Sequence, residues 1–108
     1  MSKVVVQVNF DVRMPQAEYE AMAKHAAHPI AEVAGLAWKI FLIGETGQEA
    51  AGVYLFESAA AADAYLRSPI ITALRQHPGI EKLTVKRLEV QEDITAVTRG
   101  PVGIPVTA

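Results

Sequence analysis

His25 and His28 stand three residues apart in a helical pattern and so share one helix face. A metal site needs three or four ligands, and no third ligand falls into register with this pair. His28 is the better candidate for a pocket base, because an unperturbed imidazole titrates near neutrality. A solvent-facing helix histidine leaves the same signature. His77 precedes Pro78-Gly79 and reads as the close of a helix, where a cation suits the dipole. Asn9 lies in a strand pattern, and its amide is costly to bury without a hydrogen-bond partner. Facing helices, it would have a ligand as one natural partner; at an interface or strand end, structure accounts for it. Tyr54 and Tyr65 can each donate a phenolic hydrogen bond, and Trp38 can stack on a planar molecule. All three also read as core aromatics whose polar tips find one partner. The candidate set is His28 as base, Asn9 and Tyr65 as donors to an oxyanion, and Trp38 and Tyr54 as walls. Such a set would remove a proton in a dry aromatic pocket and hold the anion that results.

Composition narrows the alternatives. The chain has 108 residues, near the commonest size of one domain, and 51% hydrophobic residues are enough to build a core. Ten basic and twelve acidic residues leave a net charge of −2, and the basic ones are scattered, with Lys86-Arg87 the only adjacent pair. Nucleic-acid and anionic-membrane binding are therefore not expected. There is no cysteine, which excludes disulfides, thiolate catalysis and iron–sulfur or zinc-thiolate sites. No apolar run approaches eighteen residues, and the Met-Ser-Lys start leads directly into a strand pattern. The expectation is a soluble, cytoplasmic protein.

The candidate residues need elements to hold them. Val4, Val6, Val8, Phe10 and Val12 alternate with Val5, Gln7, Asn9 and Asp11, the period of a half-buried strand. Pro15 suits a first helical position, and Tyr19, Met22, Ala23, Ala26 and Ile30 predict an amphipathic helix to about Val33. Pro29 should kink or break it, and Gly35 should stop it. Leu36 to Ile43 and Ala51 to Phe56 read as a hairpin across Gly44-Glu45-Thr46-Gly47. Ser58 is the expected cap of a helix to about Arg67, and Ser68-Pro69 repeats the signal for a second, ending at His77-Pro78-Gly79. Ile80 to Gln91 is the last strand, with a phase slip at Lys86-Arg87 that a β-bulge would absorb.

The order β-α-β-β-α(α)-β predicts an α+β, ferredoxin-like split βαβ fold: a four-stranded antiparallel sheet with helices on one face. The hairpin is apolar on both faces. Trp38, Ile40 and Leu42 point one way and Phe41 and Ile43 the other, as Val53 and Leu55 oppose Tyr54 and Phe56. One helix layer buries only one of these faces, so a second copy is expected on the other, as a homodimer. Residues 1–95 form the expected domain, and 96–108, with its proline and glycine residues, an extended tail or dimer arm.

Gly35-x-x-Trp38-Lys39-x-Phe41, followed by Glu49-Ala50-x-Gly52-x-Tyr54-Leu55-Phe56, resembles the hairpin of the YdhR-type mono-oxygenases. The likeness runs from about residue 4 to 95. It implies a dimeric α/β barrel, similar to the antibiotic-biosynthesis mono-oxygenases. The implied activity is oxidation of a phenol, hydroquinone or anthrone-like aromatic by dioxygen without a bound cofactor. The wider superfamily includes haem-degrading enzymes with an asparagine on the first strand, a tryptophan on the second helix and a histidine downstream. Asn9 takes the first place, but Tyr65-x-x-Ser68-Pro69 has tyrosine in the second. Arg75 falls in the third, with His77 two residues late. Haem binding or degradation is the lesser implication. The rival from another class is a non-catalytic small-molecule-binding or stress-related dimer, supported by the lack of a Ser/His/Asp set, metal cluster or phosphate loop.

Overall fold

The computed structural model describes residues 2–103. Its elements are β1 (Val4–Val12), α1 (Gln16–Ala31), β2 (Leu36–Ile43), β3 (Glu49–Phe56), α2 (Ala59–Leu66), α3 (Pro69–Gln76), β4 (Ile80–Glu89) and α4 (Glu92–Val97). The four strands make one antiparallel sheet in the order β2-β3-β1-β4. This is the α+β, ferredoxin-like arrangement expected from the alternating patterns. Val4, Val6, Val8, Phe10 and Val12 are all buried and form the centre of the core with Tyr54, Phe56, Tyr65 and Ile71.

Several local readings need correction. α1 does not break before Pro29 but runs through it to Ala31. A proline so near the end removes one of the last amide donors without ending the helix. Gly35, with φ +82°, then turns the chain into β2, and an added Cβ would meet the Ala61 methyl at 2.5 Å. Ser58 does cap α2, accepting a hydrogen bond from Ala61 N–H at 3.1 Å. Ser68 does not cap α3 with its side chain; its Oγ is buried and makes no hydrogen bond among the described residues.

The bulge in β4 lies earlier than Lys86-Arg87. Pairing with β1 is regular from Glu89 to Thr84, then moves from Asn9–Thr84 to Asp11–Glu81. Two steps on β1 therefore match three on β4, and the extra residue adopts φ +55° at Lys82. The shift returns Ile80 to the core beside Val12. Leu88 keeps its phase and stays half exposed on the other face, while Arg87, on the helix side, pairs with Asp63 of α2.

α4 has no counterpart in the sequence reading. The chain leaves β4 at one sheet edge, ties Glu92 to Lys3 at 3.5 Å, and reaches Pro101, whose carbonyl accepts a hydrogen bond from Trp38 Nε1 at 2.9 Å. Trp38 is on β2, the opposite edge. The segment therefore crosses one end of the sheet on the face away from α1–α3, where Leu55 and Val102 are buried. The last part of the expected arm, residues 104–108, lies outside the described residues.

Candidate functional site

Strand parity decides which candidates can meet. β1 and β3 pair Val6 with Tyr54 and Val8 with Gly52; β2 and β3 pair Lys39 with Tyr54 and Phe41 with Gly52. Lys39, Phe41, Gly52 and Tyr54 thus share the helix side. Between them, α1 and α3 is a cavity of about 230 Å³, walled by residues including Val8, Phe10, Met22, Ala26, Ile30, Phe41, Ile70 and Leu74. Its polar side chains are Lys39, Tyr19, Tyr54, Tyr65 and His77. An apolar cavity of roughly 150 Å³ holds benzene, so this one has room for a larger aromatic molecule. A second cavity of about 280 Å³ adjoins it, sharing Tyr19, Ala23 and Phe41, with Glu20 and Lys24 on its lining.

Lys39 is the residue the sequence reading missed. Its ammonium lies 3.8 Å from the centroid of the Phe41 ring and 4.6 Å from that of Tyr54. Among the described residues it makes no ion pair or side-chain hydrogen bond. Burial in these apolar walls lowers its pKa to about 8. Gly52 makes the seat: a Cβ there would lie 2.8 Å from Lys39 Cε and 3.1 Å from Tyr54 Cε1. The signal was present as a strand glycine opposite the Lys39–Phe41 pair, since such glycines mark close approach.

Tyr54 and Tyr65 are almost fully buried, and their hydroxyls are hydrogen-bonded to each other at 2.8 Å. Phe56 packs on both rings, at centroid distances of 6.0 and 5.5 Å. Burial raises the pKa of both phenols, so they remain protonated. One hydroxyl must donate to the other, which leaves one O–H of the pair free to donate elsewhere. His77 Nδ1 accepts the Gly79 N–H at 2.9 Å, so in its neutral form Nε2 carries the proton. His77 thus lines the cavity as a donor, besides closing α3.

The structure brings Tyr54 and Tyr65 together and leaves the other three candidates elsewhere. His28 is exposed near the end of α1 and does not line the cavity. Asn9 is exposed on the far side of the sheet, beside Ala51 and Thr84, bordering a shallow depression with Leu42 and Ile43. Trp38 is held to Pro101 and borders a hollow at the β2 edge that shares Ile30, Lys39 and Phe41 with the cavity, without lining the cavity itself. His28 and Asn9 are exposed, and Trp38 stands at the opposite strand parity to Lys39, so none of the three lines the cavity. The haem constellation is not assembled either, because Asn9 and Tyr65 are on opposite sides of the sheet. Among the described residues no cluster of three metal-ligating side chains occurs, and no helix is long and apolar enough to cross a membrane.

Over residues 5–101 the chain matches the family described as "Putative mono-oxygenase ydhR". The chain belongs to the ydhR mono-oxygenase family. Solved structures with the same fold include SnoaB, a cofactor-independent oxygenase from Streptomyces nogalater, 18% identical with a TM-score of 0.69 over 84% of this chain and 95% of that one. The NE2512 protein of unknown function from Nitrosomonas europaea is 19% identical, with a TM-score of 0.68 over 84% and 91%. The haem degrader MhuD from Mycobacterium tuberculosis is 24% identical, with a TM-score of 0.58 over 81% and 95%. At these identities the likeness is one of fold. No curated protein matches the chain in sequence.

Proposed function

We propose that this ydhR-family protein is a cofactor-independent mono-oxygenase whose substrate is a small electron-rich aromatic molecule, bound between α1, α3 and the sheet. The observation that carries the reading is an unpaired amine, Lys39, in a cavity that is otherwise apolar apart from tyrosine hydroxyls and His77. With a pKa of about 8, roughly a tenth of Lys39 is neutral at pH 7. The neutral amine takes a proton from a phenol or an activated methylene; the resulting ammonium pairs with the carbanion or oxyanion in a low-dielectric site. Lys39 replaces His28 in this role. The free O–H of the Tyr54–Tyr65 pair supplies a hydrogen bond to the substrate oxygen.

The substrate's own electrons then reduce dioxygen. For an activated methylene, both C–H bonds break and a carbon–oxygen double bond replaces them. One oxygen atom of the dioxygen enters the product as the ketone, and the other leaves as water with the two hydrogens. The family membership supports oxygen chemistry in general, and the apolar cavity supports the aromatic class. We also infer a homodimer, because Ile40 and Leu42 of β2 and Leu88 of β4 are each close to half exposed on the face opposite the helices.

Oxygen uptake by metal-free protein on a panel of hydroquinones and anthrones tests the reading. The wild-type chain should consume oxygen and Lys39→Met should lose at least 90% of that rate. With a substrate that ionises only above pH 10, kcat/KM should climb through pH 8 as Lys39 becomes neutral, and Lys39→Met should lose that climb. No uptake above the Lys39→Met control on any member would sink the oxygenase reading for these substrates.

A further inference from the structure

Lys39 has a chemistry that does not depend on the oxygenase reading. An amine can act as a nucleophile on carbon when it is neutral, free of a carboxylate, and held beside a space the electrophile can occupy. Lys39 meets the geometric conditions: it lines the 230 Å³ cavity, makes no ion pair among the described residues, and is seated between the Phe41 and Tyr54 rings. The remaining lysines, Lys3, Lys24, Lys82 and Lys86, do not line this cavity. Lys3 pairs with Glu92 and Lys82 lies 3.9 Å from Asp11.

We propose that the cavity is also a carbonyl-binding site, in which Lys39 forms a reversible imine with aromatic aldehydes. The amine nitrogen forms a bond to the carbonyl carbon; the carbon–oxygen bond then breaks, and both amine protons leave with the oxygen as water. No electrons are exchanged. The aromatic ring packs on the apolar lining, which includes Val8, Ile30 and Leu74, with its carbonyl directed to Lys39. The Tyr54–Tyr65 pair and His77 supply O–H and N–H donors for the carbonyl oxygen as it becomes a leaving hydroxyl. Burial favours the reaction twice, by holding the amine near neutrality and by disfavouring the water that would hydrolyse the imine.

The test uses the full chain, 2-naphthaldehyde and cyanoborohydride at pH 7.5, with the sites of reductive alkylation located by peptide mass mapping. Lys39 should be labelled at least tenfold faster than any of the other four lysines. Naphthalene should suppress labelling at Lys39 alone, and glycolaldehyde, which has no ring, should show no preference for it. Labelling spread over the lysines in order of their exposure would overturn the proposal, as would Lys39 labelling that naphthalene leaves unchanged. Lys39→Met is the blank for the assay, and its melting temperature shows whether it is folded. Because no oxygen is consumed, selective labelling without oxygenase activity would retain this site and discard the oxygenase reading, and the reverse result would do the opposite.

Discussion

Lys39 is held where its charge is poorly solvated, and this makes it costly to the fold as well as useful to the site. Its pKa is lowered from 10.5 to about 8 by burial, so between those values the unfolded chain binds more protons than the folded one. Stability contributed by this residue therefore rises from pH 8 to pH 10.5 and is constant below pH 8, where the folded protein carries the full cost of a buried cation. A shift of this size corresponds to about 3 kcal/mol, and stacking of the ammonium on Phe41 and Tyr54 offsets about 1 kcal/mol of that. Lys39→Met should accordingly stabilise the protein at pH 7 by about 2 kcal/mol, seen as a higher melting temperature, while activity is lost. A melting temperature that falls would show that the amine has a stabilising partner. Tyr65→Phe acts in the opposite direction. It leaves the Tyr54 hydroxyl buried without its partner, at a cost of about 1–2 kcal/mol. Denaturant unfolding should report that loss.

At the scale of elements, the site depends on one close approach between strands. Gly52 of β3 lies opposite Phe41 of β2 and Val8 of β1, and the absence of a Cβ there lets the Lys39 side chain lie across the strand. In Gly52→Ala the first atom displaced is Lys39 Cε, part of a flexible side chain, and the buried Tyr54 ring, 3.1 Å from the new Cβ, need give by only a few tenths of an ångström, so the fold should survive. The lysine should move out toward solvent and its pKa should return toward the ordinary value. Oxygen uptake should fall, and the inflection near pH 8 should move up by a unit or more. An unchanged pH profile in this variant would mean that Gly52 does not position Lys39. The helix ends are locally coded to a different degree. Ser58 and Pro69 mark the starts of α2 and α3 in sequence and in structure. The apolar alternation of β4 places the bulge at Lys86-Arg87, but the extra residue is Lys82, and Leu88 is in phase on the face opposite the helices.

For the whole molecule, the helices cover most of one side of the sheet, leaving Phe41 and Ile43 of the edge strand β2 42% and 48% exposed there, and the segment around α4 covers one end of the other. Ile40, Leu42, Leu88, Ile94 and Val97 remain 47–77% exposed. A second copy of this chain covering the sheet face would remove the first three of these from water. Light scattering at micromolar concentration should give twice the 11.6 kDa of one chain, and Leu42→Asp should return the mass to that of a monomer. A monomeric wild-type chain would overturn the dimer. Trp38, offered from sequence as a substrate wall, belongs to this level of organisation, since its indole ties the C-terminal segment to the edge strand.

By itself the sequence determined the fold class, the order of its elements, the β2–β3 hairpin and the alternation of residues along each strand. Period-two and helical patterns depend on nearest neighbours, so they are legible without a partner in view. The alternation of β1 sets Asn9 on the face opposite Val8 and Phe10, but which of the two faces the helices cover was decided by the tertiary structure. Membership of the mono-oxygenase family was legible in the same hairpin. The site itself was decided only by tertiary structure. Lys39 looks like any strand lysine until α1 and α3 enclose the space beside it, because desolvation is a property of what surrounds a group and not of its place in the chain. The Tyr54–Tyr65 bond likewise joins a strand to a helix eleven residues away, a distance that local pattern cannot close.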